Sequence, residues 1–184
     1  MHTLTQWTVE DYHKMIEAGI LNERPVELIA GKIIDMSPEG SIHTFINYRG
    51  VIYLRSLLGE RAIIREAHPI TLANSEPEPD IAIVRSPDTR YLEHHPYPED
   101  IYWLIEISDR TLKKDLGIKK SIYAGALIRE YWVIDISSQI LKVFQNPVED
   151  DYQIQQDYQQ GIVSPLAFPS LQVSVERLMS RESV

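Results

Sequence analysis

Apolar and polar positions change their period several times along the chain, and each change marks an element. Thr8 followed by Val9-Glu10-Asp11 reads as a helix N-cap with an acidic first turn, and the helix is expected to run over residues 8–18 and stop at Gly19. Val26-Glu27-Leu28-Ile29 and Lys32-Ile33-Ile34-Asp35-Met36 read as a hairpin turning at Gly31, broken by Ser37-Pro38-Glu39-Gly40. Ser41 is expected to cap a second helix over 43–58, with Phe45, Ile46, Val51, Leu54 and Leu58 as its apolar stripe and Gly59 as its stop. Strands are expected over 62–66, 70–72 and 80–84, followed by a surface loop marked by Pro87-Asp88 and His94-His95-Pro96-Tyr97-Pro98. Two apolar runs, 102–108 and 131–135, read as buried strands separated by a helix over 113–124. Residues 139–145 are expected to pair with the second run, 150–160 to form an edge strand and turn, and 168–179 a short closing segment. The pattern predicts an α+β fold, a central mixed or antiparallel sheet flanked by helices.

At 184 residues the chain suits one domain, 1–184, with a full hydrophobic core. It has no cysteine, which excludes disulfides, thiolate metal sites and cysteine nucleophiles. No apolar run approaches the ~20 residues of a membrane helix. Residues 1–7 lack the basic and then apolar blocks of a signal peptide, so a cytoplasmic location and no membrane partner are expected. The net charge of −9 opposes non-specific nucleic-acid binding, so any such partner must be met by a local basic patch, a metal or another protein.

Two carboxylates stand out against this pattern. Asp80 opens an apolar strand behind Pro77-Glu78-Pro79, and Glu106 lies inside one. Burying an unpaired carboxylate costs several kcal/mol, so each must face solvent, be paired or bind a cation. If the strands are neighbours the two converge. Mg²⁺ or Mn²⁺ is then the simplest ligand, with the carbonyl of Ile107 a candidate third oxygen. The plainer reading makes Asp80 a turn residue and Glu106 a surface position. Asp115, Lys119 and Tyr123 follow at helical spacing, so Lys119 can fold back over the carboxylates; the plainer reading is a surface i,i+4 pair. Glu27, in an apolar hairpin arm, completes an acidic cluster or else faces outward by alternation. His43 is a candidate phosphate contact or base, or a surface residue at a helix start. Arg110, Lys113, Lys114, Lys119 and Lys120 crowd one segment, the local patch suited to an anion, although a solvated helix face would look the same. Lys120 is the neighbour expected to face solvent, where it becomes a candidate substrate contact. No Gly-rich phosphate loop and no Gly-x-Ser-x-Gly elbow is present.

The order Glu27, His43, Asp80, Glu106, Lys119 resembles the Uma family of restriction-endonuclease-like proteins, within the PD-(D/E)xK nuclease superfamily. The matching pieces are residues 26–34, Pro77-Glu78-Pro79-Asp80-Ile81, Ile105-Glu106-Ile107-Ser108, 115–119 with Tyr123-Ala124, and 130–135. The resemblance implies a restriction-endonuclease-like fold and a metal site in which Asp80 and Glu106 hold Mg²⁺ or Mn²⁺, Glu27 assists and Lys119 is the catalytic lysine. The superfamily's usual lysine stands two residues after this Glu, where this chain has Ser108. In the Uma family it stands in the following helix, which Lys119 matches.

The resemblance implies a metal-dependent endonuclease hydrolysing DNA phosphodiester bonds, with DNA as partner. The alternative is a catalytically inactive nuclease-fold module acting through binding, which the acidic charge and Ser108 favour. A homodimer is expected from Tyr and Trp near the C-terminal strands, although Trp103 and Trp132 also read as core.

Overall fold

The two apolar runs become the middle of a sheet, because strands covered on both faces carry apolar residues on both. The computed structural model describes residues 4–181. Helix α1 (Val9–Glu17) precedes the hairpin β1 (Val26–Ile29) and β2 (Lys32–Asp35), and α2 (Ser41–Leu58) follows. Then come β3 (Ile63–Glu66), β4 (Ile81–Val84) and β5 (Ile101–Ser108). A helical crossover, α3 (Leu112–Lys114), a π turn over Asp115–Lys119 and α4 (Lys120–Gly125), leads to β6 (Glu130–Asp135), β7 (Ile140–Val148) and β8 (Asp151–Tyr158). The chain closes with β9 (Ile162–Val163), β10 (Val173–Ser174) and α5 (Val175–Leu178).

The central sheet has six strands in the order β3-β4-β5-β6-β7-β8. β5 and β6 are parallel, which their helical connection requires, and the other neighbours are antiparallel. Alternation divides the core. Trp103, Ile105 and Ile107 of β5, with Trp132 and Ile134 of β6, pack under α2 and α5. Leu104, Tyr131 and Val133 face Tyr123 and Ala124 of α4. Glu106 and Ser108 continue the α4 face. Gly50 of α2 admits Leu178 of α5, whose side chain would lie 3.5 Å from an added Cβ. No described helix is long and apolar enough to cross a membrane.

Local chemistry sets the boundaries. Thr8 and Asp11 form the capping box of α1, each side chain meeting the other residue's backbone N–H. The first hairpin turns through Ala30 and Gly31, both at positive φ. Three expectations are corrected. The N-cap of α2 is Gly40, without a side-chain cap, and Ser41 is already helical. Phe45 is 41% exposed and lies off the buried stripe, which runs through His43, Ile46, Gly50 and Leu54. Residues 70–72 join no sheet, because Ile70 N–H donates to Pro77 and Leu72 N–H to Ser75 within their own loop. Trp103 and Trp132 are fully buried, which agrees with reading them as core and leaves them no part in a subunit interface.

Candidate functional site

Antiparallel register brings the two anomalous carboxylates together. Ile81 pairs with Ile105 and Ala82 with Leu104, so continuing β4 back by one residue sets Asp80 across from Glu106. Asp80 Oδ2 accepts the N–H of Ile107 at 2.6 Å. Glu106 is 3% exposed, and its Oε1 accepts both Lys119 Nζ and Tyr123 OH at 2.8 Å. Among the described residues no hydrogen bond falls on Asp80 Oδ1 or Glu106 Oε2. Both residues line a cleft of about 280 Å³ between α2, the β1–β2 hairpin and the crossover. Each carboxylate is thus fixed by one oxygen and offers the other, a donor set that fits a hard divalent cation.

The crossover supplies the buried ammonium. Its π turn, in which Lys120 N–H reaches back five residues to the carbonyl of Asp115, shifts the helix phase. Asp115 meets Ser108 Oγ at 2.7 Å, while Lys119 lies between Glu106 and Glu27, 3.7 Å from Glu27 Oε2. Ser108, at the usual lysine position, is therefore a partner of Asp115. Glu27 is 1% exposed and also takes Lys114 Nζ at 2.8 Å and the N–H of Glu78 at 3.2 Å. It is a partner for the two lysines, and it does not close a cluster of metal donors with Asp80 and Glu106.

Burial disfavours charge on Lys119, but Glu106, Glu27 and Asp115 overcome it and raise its pKa. Burial pushes the Glu106 carboxyl up, to about 8, against the pull of Lys119. The Tyr123 phenol is pushed well up by burial and by Glu106, so it stays a neutral donor. Burial raises Asp115 too, with Lys119, Thr111 and Ser108 opposing. For His43 burial acts downward, and Asp80 and Glu39 outweigh it to leave the pKa raised.

His43 projects from the first turn of α2 into the cleft, with Nε2 3.2 Å from Asp80 Oδ2. Lys120 does not enter the cleft. The π turn points it to Asp151, at 2.8 Å, and over the Phe144 ring. The expected basic patch is thereby dispersed, since Lys114 and Lys119 face inward and Arg110 alone of the remainder lines the cleft. Ile107 contributes its N–H to Asp80. Tyr123 is named in the sequence for its helical spacing and Lys114 for its place in the basic patch, but their partners, Glu106 and Glu27, emerge only in the structure, and Glu39 was not singled out at all. The one visible signal for Glu39 is its four-residue spacing from His43.

A family model described as "Uma2: Putative restriction endonuclease" matches residues 9–176. The chain belongs to the Uma2 family. Among solved structures it is similar to a protein of Anabaena variabilis described as a putative nuclease belonging to DUF820. The two are 21% identical over 94% of this chain and 97% of that one, with a TM-score of 0.74. At that identity the likeness shows the fold, the helix-flanked mixed sheet expected from the sequence. No functionally curated protein matches the chain. In this Uma2 chain the resemblance drawn from short motifs and the match over most of the length agree, and Asp80, Glu106 and Lys119 meet in one cleft.

Proposed function

We propose that this Uma2 chain is a Mg²⁺- or Mn²⁺-dependent endonuclease that hydrolyses DNA phosphodiester bonds in the cleft. The observation that carries the reading is the pair Asp80–Glu106, each with one oxygen held by the protein and one open to the cleft, beside a buried ammonium. Asp80 and Glu106 would hold the ion, with a third oxygen drawn from the backbone at Ile107. The ion would supply Lewis-acid charge at a phosphate oxygen and lower the pKa of a water.

The chain's own groups do the rest. Lys119 fixes Glu106 and presents a positive charge to the charge that develops on the reacting phosphate. Tyr123 holds the same Glu106 oxygen and so keeps the other one turned to the cleft. Glu27 orients Lys119 and Lys114. Arg110, exposed at the cleft, replaces Lys120 as the side chain suited to a backbone phosphate. DNA as the substrate rests on the family, and the net charge of −9 makes the local cations and the ion the source of attraction. A homodimer belongs to this reading because two such sites would cut both strands of a duplex in one encounter.

The test is incubation of plasmid DNA with the purified protein in Mg²⁺ and in Mn²⁺, beside Asp80→Asn. Metal-dependent nicking by the wild type, lost in Asp80→Asn, is expected. Equal cleavage by both proteins contradicts the site, and no cleavage together with no divalent-ion binding favours the inactive module.

A further inference from the structure

We propose that Glu39, His43 and Asp80 form a second metal position on the α2 side of the cleft, selective for a first-row transition-metal dication over Mg²⁺. The inference rests on Asp80 as read above but uses residues that the first position does not. The three come from two separate segments, the turn before α2 with its first turn and the start of β4, and one donor atom from each lies within 4.8 Å of the others. His43 is 8% exposed, yet its Nδ1 is buried without a hydrogen-bond partner. Glu39 Oε2 stands 3.4 Å from that nitrogen, and Asp80 Oδ2 stands 3.2 Å from Nε2.

A buried polar atom without a partner calls for an explanation, and an ion is one. Buried acids away from the cleft are satisfied within the protein. Glu130 accepts from Trp132, Gln145 and the Leu166 N–H, and Asp100 from Arg90 and the Tyr97 N–H. Charge points the same way. On the crossover side, Lys114 and Lys119 serve Glu27 and Glu106, whereas Glu39 and Asp80 have His43 as their ion partner among the described residues. Metal–ligand distances of about 2.0–2.2 Å place neighbouring donors about 3–3.5 Å apart, which the exposed Glu39 can reach by side-chain rotation. One imidazole nitrogen with two carboxylate oxygens suits Mn²⁺, Fe²⁺, Co²⁺ or Zn²⁺, whereas Mg²⁺ prefers an all-oxygen shell that retains water.

The probe is Mn²⁺, titrated into the full chain in excess Mg²⁺ and followed by electron paramagnetic resonance, with spin-echo modulation reporting bound nitrogen. The expected result is one tightly held Mn²⁺ per chain with a histidine nitrogen signature. Glu39→Gln, a change at an exposed residue, and His43→Asn should each weaken it by at least about tenfold. Glu106→Gln should leave it in place. Absence of nitrogen-coupled Mn²⁺ in the wild type overturns the proposal, as does binding unchanged in Glu39→Gln. Loss of the signal in Glu106→Gln, with Glu39→Gln normal, also overturns it and leaves the first metal position standing.

Discussion

Lys119 couples stability to chemistry, because it is 3% exposed and lies between two buried carboxylates. Replacing it by methionine leaves Glu106 and Glu27 with less compensation in a poorly solvated place. Lys119→Met is therefore expected to lower stability by about 3–5 kcal/mol, the usual cost of breaking a buried pair from one side. Adding Glu106→Gln should restore part of that loss, since no unpaired charge then remains at Glu106. Urea denaturation of the single and double variants checks both statements, and an unchanged midpoint in Lys119→Met contradicts the buried pair. At this scale the sequence was informative where a residue broke its surroundings. Asp80, Glu106 and Glu27 were visible as acids in apolar strands. Glu39 was not, because it lies in a Pro- and Gly-containing turn where an acid is ordinary.

The crossover helix shows what an element adds to its residues. Asp115, Lys119 and Tyr123 at four-residue spacing predict one continuous face, and the π turn changes that phase so that Asp115 serves Ser108 while Lys119 and Tyr123 serve Glu106. Lys120, expected beside Lys119 to face solvent, pairs with Asp151 and is thereby lost as a substrate contact. Within the turn, Gly117 is exposed, and a Cβ placed there meets nothing within 4 Å. Gly117→Ala is accordingly expected to raise stability by about 0.5–1 kcal/mol through helix propensity alone. A lower thermal midpoint in that variant would mean that the glycine is required by the turn. Elsewhere the elements were legible because period and caps agreed, as in α1 with its Thr8–Asp11 box. A strand is expected in excess where a loop closes on itself, as at residues 70–72.

Across the whole molecule, the sheet order is what turns scattered residues into a site. β4 and β5 are neighbours, and Glu76 bridges to Leu28, so Asp80, Glu106 and Glu27 reach one cleft although they are far apart in the chain. Composition and spacing do not carry that adjacency; the resemblance through ordered motifs anticipated it. The fine division of labour was not legible, because it depends on which oxygen each donor occupies. Glu106, with one oxygen open to the cleft, is proposed as an ion-holding residue of a DNA-cleaving site. The direct measurement is the rate of Mg²⁺-dependent plasmid cleavage by the wild type and by Glu106→Gln, each checked by circular dichroism to be folded. Cleavage by the wild type and a loss of at least about 100-fold in the variant are expected, since the variant lacks an ion-holding carboxylate. Cleavage by a folded Glu106→Gln protein at the wild-type rate would contradict that role.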